Sequence, residues 1–411
     1  MEFNPNTALD YARALSRPRL VGSGEDEVVA REIEAKLRGL GYRVERQLFR
    51  FSTGVNTFIR IMVFSSMLLV VAALWLRWMG AWAAVIPALA VLLPALLFER
   101  VLRAAESGSI APEPGEPVSR WTALCLRLGS RYSTSNIIAT LDSLVDRPDL
   151  PQLVLVAHYD SKSQRIPLVV RIALFVMAIG GGIFFAALNV LALLFPELGP
   201  AISALGIGVL LAAIPLIFLD VGNESPGAID DASGLGTVLH LAECLARRSD
   251  RLDQLRVTIL STSAEELAVM GAAAYVHRYE PVLRWQADAG GLYILNFDGV
   301  GVAGDLYVDS RDQTRPGRLA EIVQQASAEL GIPLRRFSLV GMLFDHLPFA
   351  RHGFDAVSLI AIGRATLSIH TAADSADRLQ VRGFEQAGHV AWRVIETLAR
   401  TRTSATGPAL A

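Results

Sequence analysis

The chain has 411 residues, 52% of them apolar and only 19% charged, with a mean hydropathy of +0.39. That is too oily for a wholly soluble protein and implies a membrane component beside a globular one. A formal net charge of -2 and a pI near 6.4 provide no basic face, which excludes a nucleic-acid-binding role.

From the amino end, residues 1–20 are charged and mixed, without the basic, apolar, small-residue succession of a cleavable signal, so the amino end is expected inside. Ser23 and Asp26 read as a variant capping box opening a helix with apolar face Val28, Val29, Ile33 and Leu37, stopped by Gly41. Tyr42 to Gln47 alternates like a half-buried strand. Two uncharged runs follow, 61–76 and 78–98, each near the roughly 20 apolar residues that cross a bilayer. After a polar linker over 104–120, strands are expected at 135–141 and 153–157, the second apolar throughout as a central strand should be. A second pair of uncharged runs, 172–196 and 198–219, is broken only by Glu197. Four runs in two close pairs read as two membrane hairpins, within which Gly180, Gly181, Gly182 and Ala186 could let helices approach closely.

Arg50, Arg60, Arg100, Arg103, Arg165 and Arg171 flank the hairpins on the side of the globular part, against Arg77 and Glu197 in the tight loops, so that part is expected in the cytoplasm. Each hairpin returns the chain to the side it left. Residues 1–57, 104–165 and 221–402 can therefore form one domain, with hairpins at 58–103 and 166–220 and a flexible tail at 403–411. Beyond the second hairpin, helices are expected at 235–246, 267–278, 318–330 and 384–398, and strands at 256–261, 292–297 and 356–362, an α/β pattern. Cys125 and Cys244 have neither metal nor disulfide spacing, and nothing in the sequence points to an oligomeric state.

The stretch Pro226 to Gly234, PGAIDDASG, sets two carboxylates in a glycine-bracketed loop ahead of a helix. One carboxylate has two oxygens, so Asp230 can bridge two divalent cations while Asp231 faces the other way. Other polar residues gather at strand ends, where ligands of such sheets collect: His158 and Asp160, Glu265 and Glu266, Asp298, and His370 after a loop. Two histidines and several carboxylates at one sheet edge are the ligand chemistry of zinc. His240, His277, His352 and His389 lack such partners and read as structural or surface residues.

These motifs stand as VAHYDS from Val156, PGAIDDASG from Pro226, STSAEELAVMG from Ser261, NFDG from Asn296, FDHLPF from Phe344 and SIHTAAD from Ser368. In that order, and with the opening LVGSGEDEVVAREIEAKLRGLGYRVERQLF, they resemble the co-catalytic zinc exopeptidase family, metallopeptidase family twenty-eight, with its bacterial leucyl aminopeptidases, glutaminyl cyclases and glutamate carboxypeptidase. The resemblance implies a zinc-exopeptidase-like mixed sheet flanked by helices, here with two inserted transmembrane helical hairpins, four spans in all. It implies two zinc ions, or another divalent metal, one held by His158, Asp230 and Asp298 and the other by Asp230, Glu266 and His370. Glu265 would be the general base toward a water shared by the metals. Asp160, grouped with it as catalytic, and Asp374 would sit behind His158 and His370 and fix the ring tautomers. Asp345 and His346 would order the pocket wall. Where the family often has Asn, Asp231 adds negative charge beside the metals.

The implied activity is aminopeptidase hydrolysis of peptides by a protein anchored in the lipid bilayer. The same fold also supports glutamine cyclisation, which HYDSK from His158 resembles, and carboxypeptidase action; a non-catalytic membrane scaffold is a third reading, against which the intact ligand set argues. The spans leave and rejoin the domain near the metal loops, so they either hold the site over bilayer-associated peptides or serve as an anchor alone.

Overall fold

A computed structural model describes residues 2–113, 115–141, 150–248, 254–312, 317–338 and 342–400; the expected tail over 403–411 lies outside them. The chain divides into two units, one made of 2–50, 132–163 and 222–400 and the other of 51–131 and 164–221.

The strands are β1 (Arg43–Ser52), β2 (Arg131–Thr140), β3 (Gln152–His158), β4 (Ser163–Gln164), β5 (Val221–Gly222), β6 (Arg256–Thr262), β7 (Leu292–Asp298), β8 (Asp305–Asp309), β9 (Leu334–Arg336) and β10 (Asp355–Ile362). Eight form one mixed sheet in the order β1-β2-β6-β3-β7-β10-β8-β9, while β4 and β5 pair separately. The middle four, β6, β3, β7 and β10, are mutually parallel, and β2 and β8 run antiparallel to them on either side. β3 is buried at every position, as its unbroken apolar run requires of a strand covered on both faces. Its register sets His158 beside Thr262, and that of β7 sets Asp298 beside Ile360. The carboxyl ends of four parallel strands thus share one edge.

Helices cover the sheet. Ser233–Ala246 is buried along nearly its whole length, whereas Val381–Arg400 buries one stripe including Phe384, Val390, Val394 and Leu398. Helix Met270–Ala289 packs Tyr275, Val276 and Leu283 into a cluster with Val154, Val156, Leu260 and Ile294. Burying an aliphatic or aromatic side chain of this kind stabilises by roughly 1.5–3 kcal/mol.

One local expectation is corrected. Helix Glu25–Gly39 starts behind Gly24, whose φ of 89° makes it a left-handed N-cap, and Ser23 makes no cap bond. Asp26 instead reaches back to accept the N–H groups of Gly22 and Gly24 at 3.0 and 2.9 Å. The amino end, for which the sequence names no element, is a helix, Pro5–Leu15, with Asn4 accepting the Asn6 N–H at 2.9 Å and proline in the first turn. The Asn4 N–H donates to Nε2 of the buried His240 at 2.9 Å, so that histidine is a structural acceptor.

The second unit is helical. Among the described residues it holds four helical stretches long and apolar enough to cross a membrane, Gly54–Met79, Ala81–Ser109, Leu168–Leu191 and Pro196–Ile217. Val70, Ala73, Ala84, Ala88, Phe185, Ile202 and Val209 form its core. Of the small residues expected to allow close approach, Gly181 does so, since a Cβ there would meet Val209 Cγ2 at 2.7 Å, whereas a Cβ at Gly180 would meet nothing within 4 Å. This unit also includes the stretch expected as a polar linker, because helix Leu92–Ser109 continues beyond the apolar run and Trp121, on helix Arg120–Arg127, donates to Ala104 O at 2.7 Å.

Candidate metal centre

Each parallel strand delivers its polar residues at the shared edge. His158 is the last residue of β3 and Asp298 the last of β7. β6 ends at Thr262, and a tight turn then carries Glu265 and Glu266 before helix Met270–Ala289. Asp230 and Asp231 lie in the irregular turn ahead of helix Ser233–Ala246, joined by a cis peptide bond. His370 follows β10 with a φ of 61°. Ala264, Ala268 and Val269 also have φ between 53° and 82°, so sparsely populated backbone is concentrated around this edge.

The structure brings two donor sets together, His158, Asp230 and Asp298, and Asp230, Glu266 and His370; within each, the donor atoms lie inside 4.8 Å of one another. Asp230 belongs to both. Its Oδ1 is 3.0 Å from His158 Nε2 and its Oδ2 is 3.0 Å from His370 Nε2. His370 Nε2 is 3.1 Å from Glu266 Oε2, and Glu265 Oε2 is 3.8 Å from His158 Nε2. Every one of these carboxylates is buried. Burial alone disfavours ionised carboxylates, yet the two imidazoles on Asp230 outweigh it and hold that carboxyl well below its usual range. Glu265 and Asp298 are driven well upward, first by burial and then by carboxylate neighbours. Converging buried carboxylates and imidazoles, with one carboxylate common to both sets, fit a pair of divalent cations.

The residues around these donors hold them in place. Asp160 accepts the N–H groups of Glu265 and Glu266 at 3.2 and 3.3 Å, and its carboxylate lies 3.4 Å from His158 Nδ1, with its own carbonyl oxygen at 3.1 Å. Asp374, expected behind His370, grips the bridging loop: its oxygens accept the N–H groups of Ile229 and Asp230 at 2.7 and 3.3 Å, and burial pushes its pKa up to about 7. Asp231 Oδ1 accepts from Gly234 and Gly299, tying the loop to the end of β7, while its buried Oδ2 has no partner among the described residues. Burial drives its pKa well upward, and Asp298 and Asp230 add to the shift. Only glycine fits at 234, where a Cβ would press on the Asp231 carboxylate and stand 2.7 Å from the main-chain oxygen of Phe297. Asp345 bonds Thr262 Oγ1, and burial raises its pKa to about 6. His346 points to Ser358 Oγ at 2.7 Å and is pushed down to about 3 by burial, so it is a neutral core residue.

Two residues that sequence reasoning passed over belong to this centre. Arg19 is fully buried, and its guanidinium donates to the carbonyls of Tyr159, Arg17, Pro226 and Gly227 at 2.6, 3.1, 2.6 and 2.9 Å, stitching the loop after β3 to the bridging loop. Lys162 is one of only two lysines in a chain otherwise based on arginine, a compositional signal that could have found it. Burial opposes its charge, but Glu266, Glu265 and Asp230 outweigh that and raise its pKa. Arg19→Met should cost about 3 kcal/mol or more, because several buried carbonyls lose their donor together; a fall in the thermal unfolding midpoint of metal-free protein in detergent measures it.

An α/β sheet thus carries overlapping donor sets at the ends of its parallel strands. Residues 136–395 match Peptidase family M28, and the chain belongs to that family. No curated protein matches it in sequence. Among solved structures it is similar to an aminopeptidase from Aneurinibacillus sp. strain AM-1 (15% identity, 97% of this chain and 94% of that one covered, TM-score 0.56). It is also similar to the zinc aminopeptidase BSAP from Bacillus subtilis (16%, 97% and 95%, TM-score 0.54) and to a glutaminyl cyclase from Bacteroides thetaiotaomicron (15%, 96% and 98%, TM-score 0.52). At such identities the likeness is one of fold: a mixed sheet flanked by helices, as expected.

Proposed function

We propose that the protein is a membrane-anchored exopeptidase with two zinc ions, acting as an aminopeptidase. The observation that carries this is the sharing of Asp230 between two donor sets, buried except for the half-buried His370, with the Glu265 carboxylate beside them. His158, Asp230 and Asp298 would hold one ion, and Asp230, Glu266 and His370 the other. Bound there, zinc would supply a Lewis acid toward a peptide carbonyl and would lower the pKa of a water toward neutrality. Glu265 accepts the proton of the attacking water and returns it to the leaving amine. Asp160 fixes the backbone under both glutamates, so neighbours in sequence keep separate tasks. The four apolar helices anchor the protein, and the arginines flanking them favour a catalytic unit on the cytoplasmic side. A second reading, cyclisation of amino-terminal glutamine, is favoured by the sequence HYDSK and by the likeness to a glutaminyl cyclase.

The test is a panel of aminoacyl anilides, amino-terminal glutamine peptides and carboxyl-terminal substrates, offered to detergent-purified protein. Anilide hydrolysis should fall about a hundredfold or more on chelation and return with zinc, since the metals supply several kcal/mol. Turnover confined to glutamine peptides or to carboxyl-terminal substrates would replace the aminopeptidase assignment.

A further inference from the structure

His240 lies roughly two turns into helix Ser233–Ala246, away from the metal donors, and is fully buried. Its Nδ1 is 3.3 Å from Glu243 Oε2. An ionised carboxylate only accepts, so Nδ1 carries the proton and Nε2 is the bare nitrogen that takes the Asn4 N–H at 2.9 Å. Phe3 is buried between the rings of His240 and His389, with centroids 5.0 and 5.8 Å away, and a Cβ at Gly388 would run into it. Asn4 caps helix Pro5–Leu15, which is pressed on the same helix at Gly236, where a Cβ would stand 2.5 Å from Ala8 O. The ionisable neighbours come from every side. On its own helix His240 has Glu243, paired with Arg247 at 2.6 Å, and the Cys244 thiol, 3.7 Å from Nε2 and facing Tyr42. Tyr11 of helix Pro5–Leu15 donates to Glu243 Oε2 at 2.6 Å, and Lys36 of helix Glu25–Gly39 donates to the Tyr11 hydroxyl. His389 stands beyond Phe3.

We propose that His240 is the catch of a pH-sensitive latch: neutral, it holds Phe3, Asn4 and the start of helix Pro5–Leu15 against helix Ser233–Ala246, and protonated, it releases them. Protonation puts an N–H on Nε2 that faces the Asn4 N–H, so a buried hydrogen bond becomes a contact between two donors. The bond from Nδ1 to Glu243 survives and gains a charge, so the ring stays and the amino-terminal segment leaves. Glu243 does not titrate in its place, because Tyr11, His240, Lys36 and Arg247 outweigh its burial and hold it below the usual carboxylate range. Burial holds His240 below the ordinary imidazole value; Glu243 opposes this, and Lys36 and Arg247 add to it. The latch therefore contributes its full stability above about pH 6.5 and loses it as pH falls through the folded-state value. Acid uncovers the helix that follows the bridging loop. The inference does not depend on the metallopeptidase reading.

Amide hydrogen exchange of the detergent-purified full chain, read by mass spectrometry at about pH 7.5 and about pH 5 and corrected for the intrinsic rate, tests this. In wild-type protein the protection of residues 5–12 should fall by about tenfold or more on acidification, as a pKa one unit below the unfolded value implies, while helix Arg318–Glu329 keeps its own. His240→Gln, whose amide oxygen accepts the Asn4 N–H at either pH, should hold that protection level. Phe3→Ala, which empties the socket without touching the histidine, should lose it already at about pH 7.5. Wild-type protection that does not change between the two conditions, or falls equally in His240→Gln, would overturn the inference. So would full protection in Phe3→Ala, a result that decides whether or not the glutamine variant folds.

Discussion

Glu265→Gln is expected to lower anilide hydrolysis by about 10³-fold, within the range that a positioned general base supplies. Glutamine has the same shape, and the Asp160 carboxylate grips the main chain at 265 and 266, so the substitution leaves the turn intact. None of the donor distances within the two sets involves residue 265. The loss should therefore appear in kcat with zinc content and unfolding midpoint unchanged. A variant that lost its zinc as well would make Glu265 a ligand rather than a base. One that retained near wild-type kcat would remove it from the reaction.

The edge that carries the site was legible because the sheet wrote it into the sequence. An apolar run such as Leu153 to Ala157 can be buried on both faces only as a central strand, so the polar residues directly after it had to emerge at the strand's carboxyl end. The same logic located Glu265, Glu266 and Asp298, and the structure sets Glu265 and Asp298 beside His158 and Glu266 beside Asp230 and His370. Helix starts were less legible. The helix expected from Leu267 begins at Met270, because Ala268 and Val269 take left-handed backbone angles that no alanine or valine advertises, and Pro281 lies within the helix without ending it.

What could not be read was long-range pairing of groups without a spacing rule. Arg19 stands more than a hundred residues from Tyr159 and the bridging loop, and only folding brings its guanidinium to their carbonyls. Asp374 looked like a partner for its near neighbour His370, yet its carboxylate is spent on the main chain of Ile229 and Asp230. Asp231 looked like added charge beside a metal, and what the sequence did not show is that its Oδ1 is also a strut between two loops. Sequence shows which residues reach the edge; the hydrogen bonds that orient them depend on loops meeting across it.

Asp230→Asn should produce the largest change in metal content. Both Asp230 oxygens are engaged, one toward each histidine, and its carboxylate alone is common to the two donor sets. An amide keeps one carbonyl oxygen but carries no charge and presents an NH₂ group on the other side, so it cannot serve two cations. With the proposed assignment, zinc per chain should fall from two to below one, and hydrolysis by about 10³-fold or more, because the several kcal/mol supplied by the metals are withdrawn together. Asp298→Asn is the comparison that gives this result its meaning, since Asp298 belongs to one set only and its loss should spare one ion. Metal analysis of the two variants side by side separates a bridging carboxylate from an ordinary ligand: equal zinc loss in both would remove Asp230 from its central place, and a deeper loss in Asp230→Asn would fix it there.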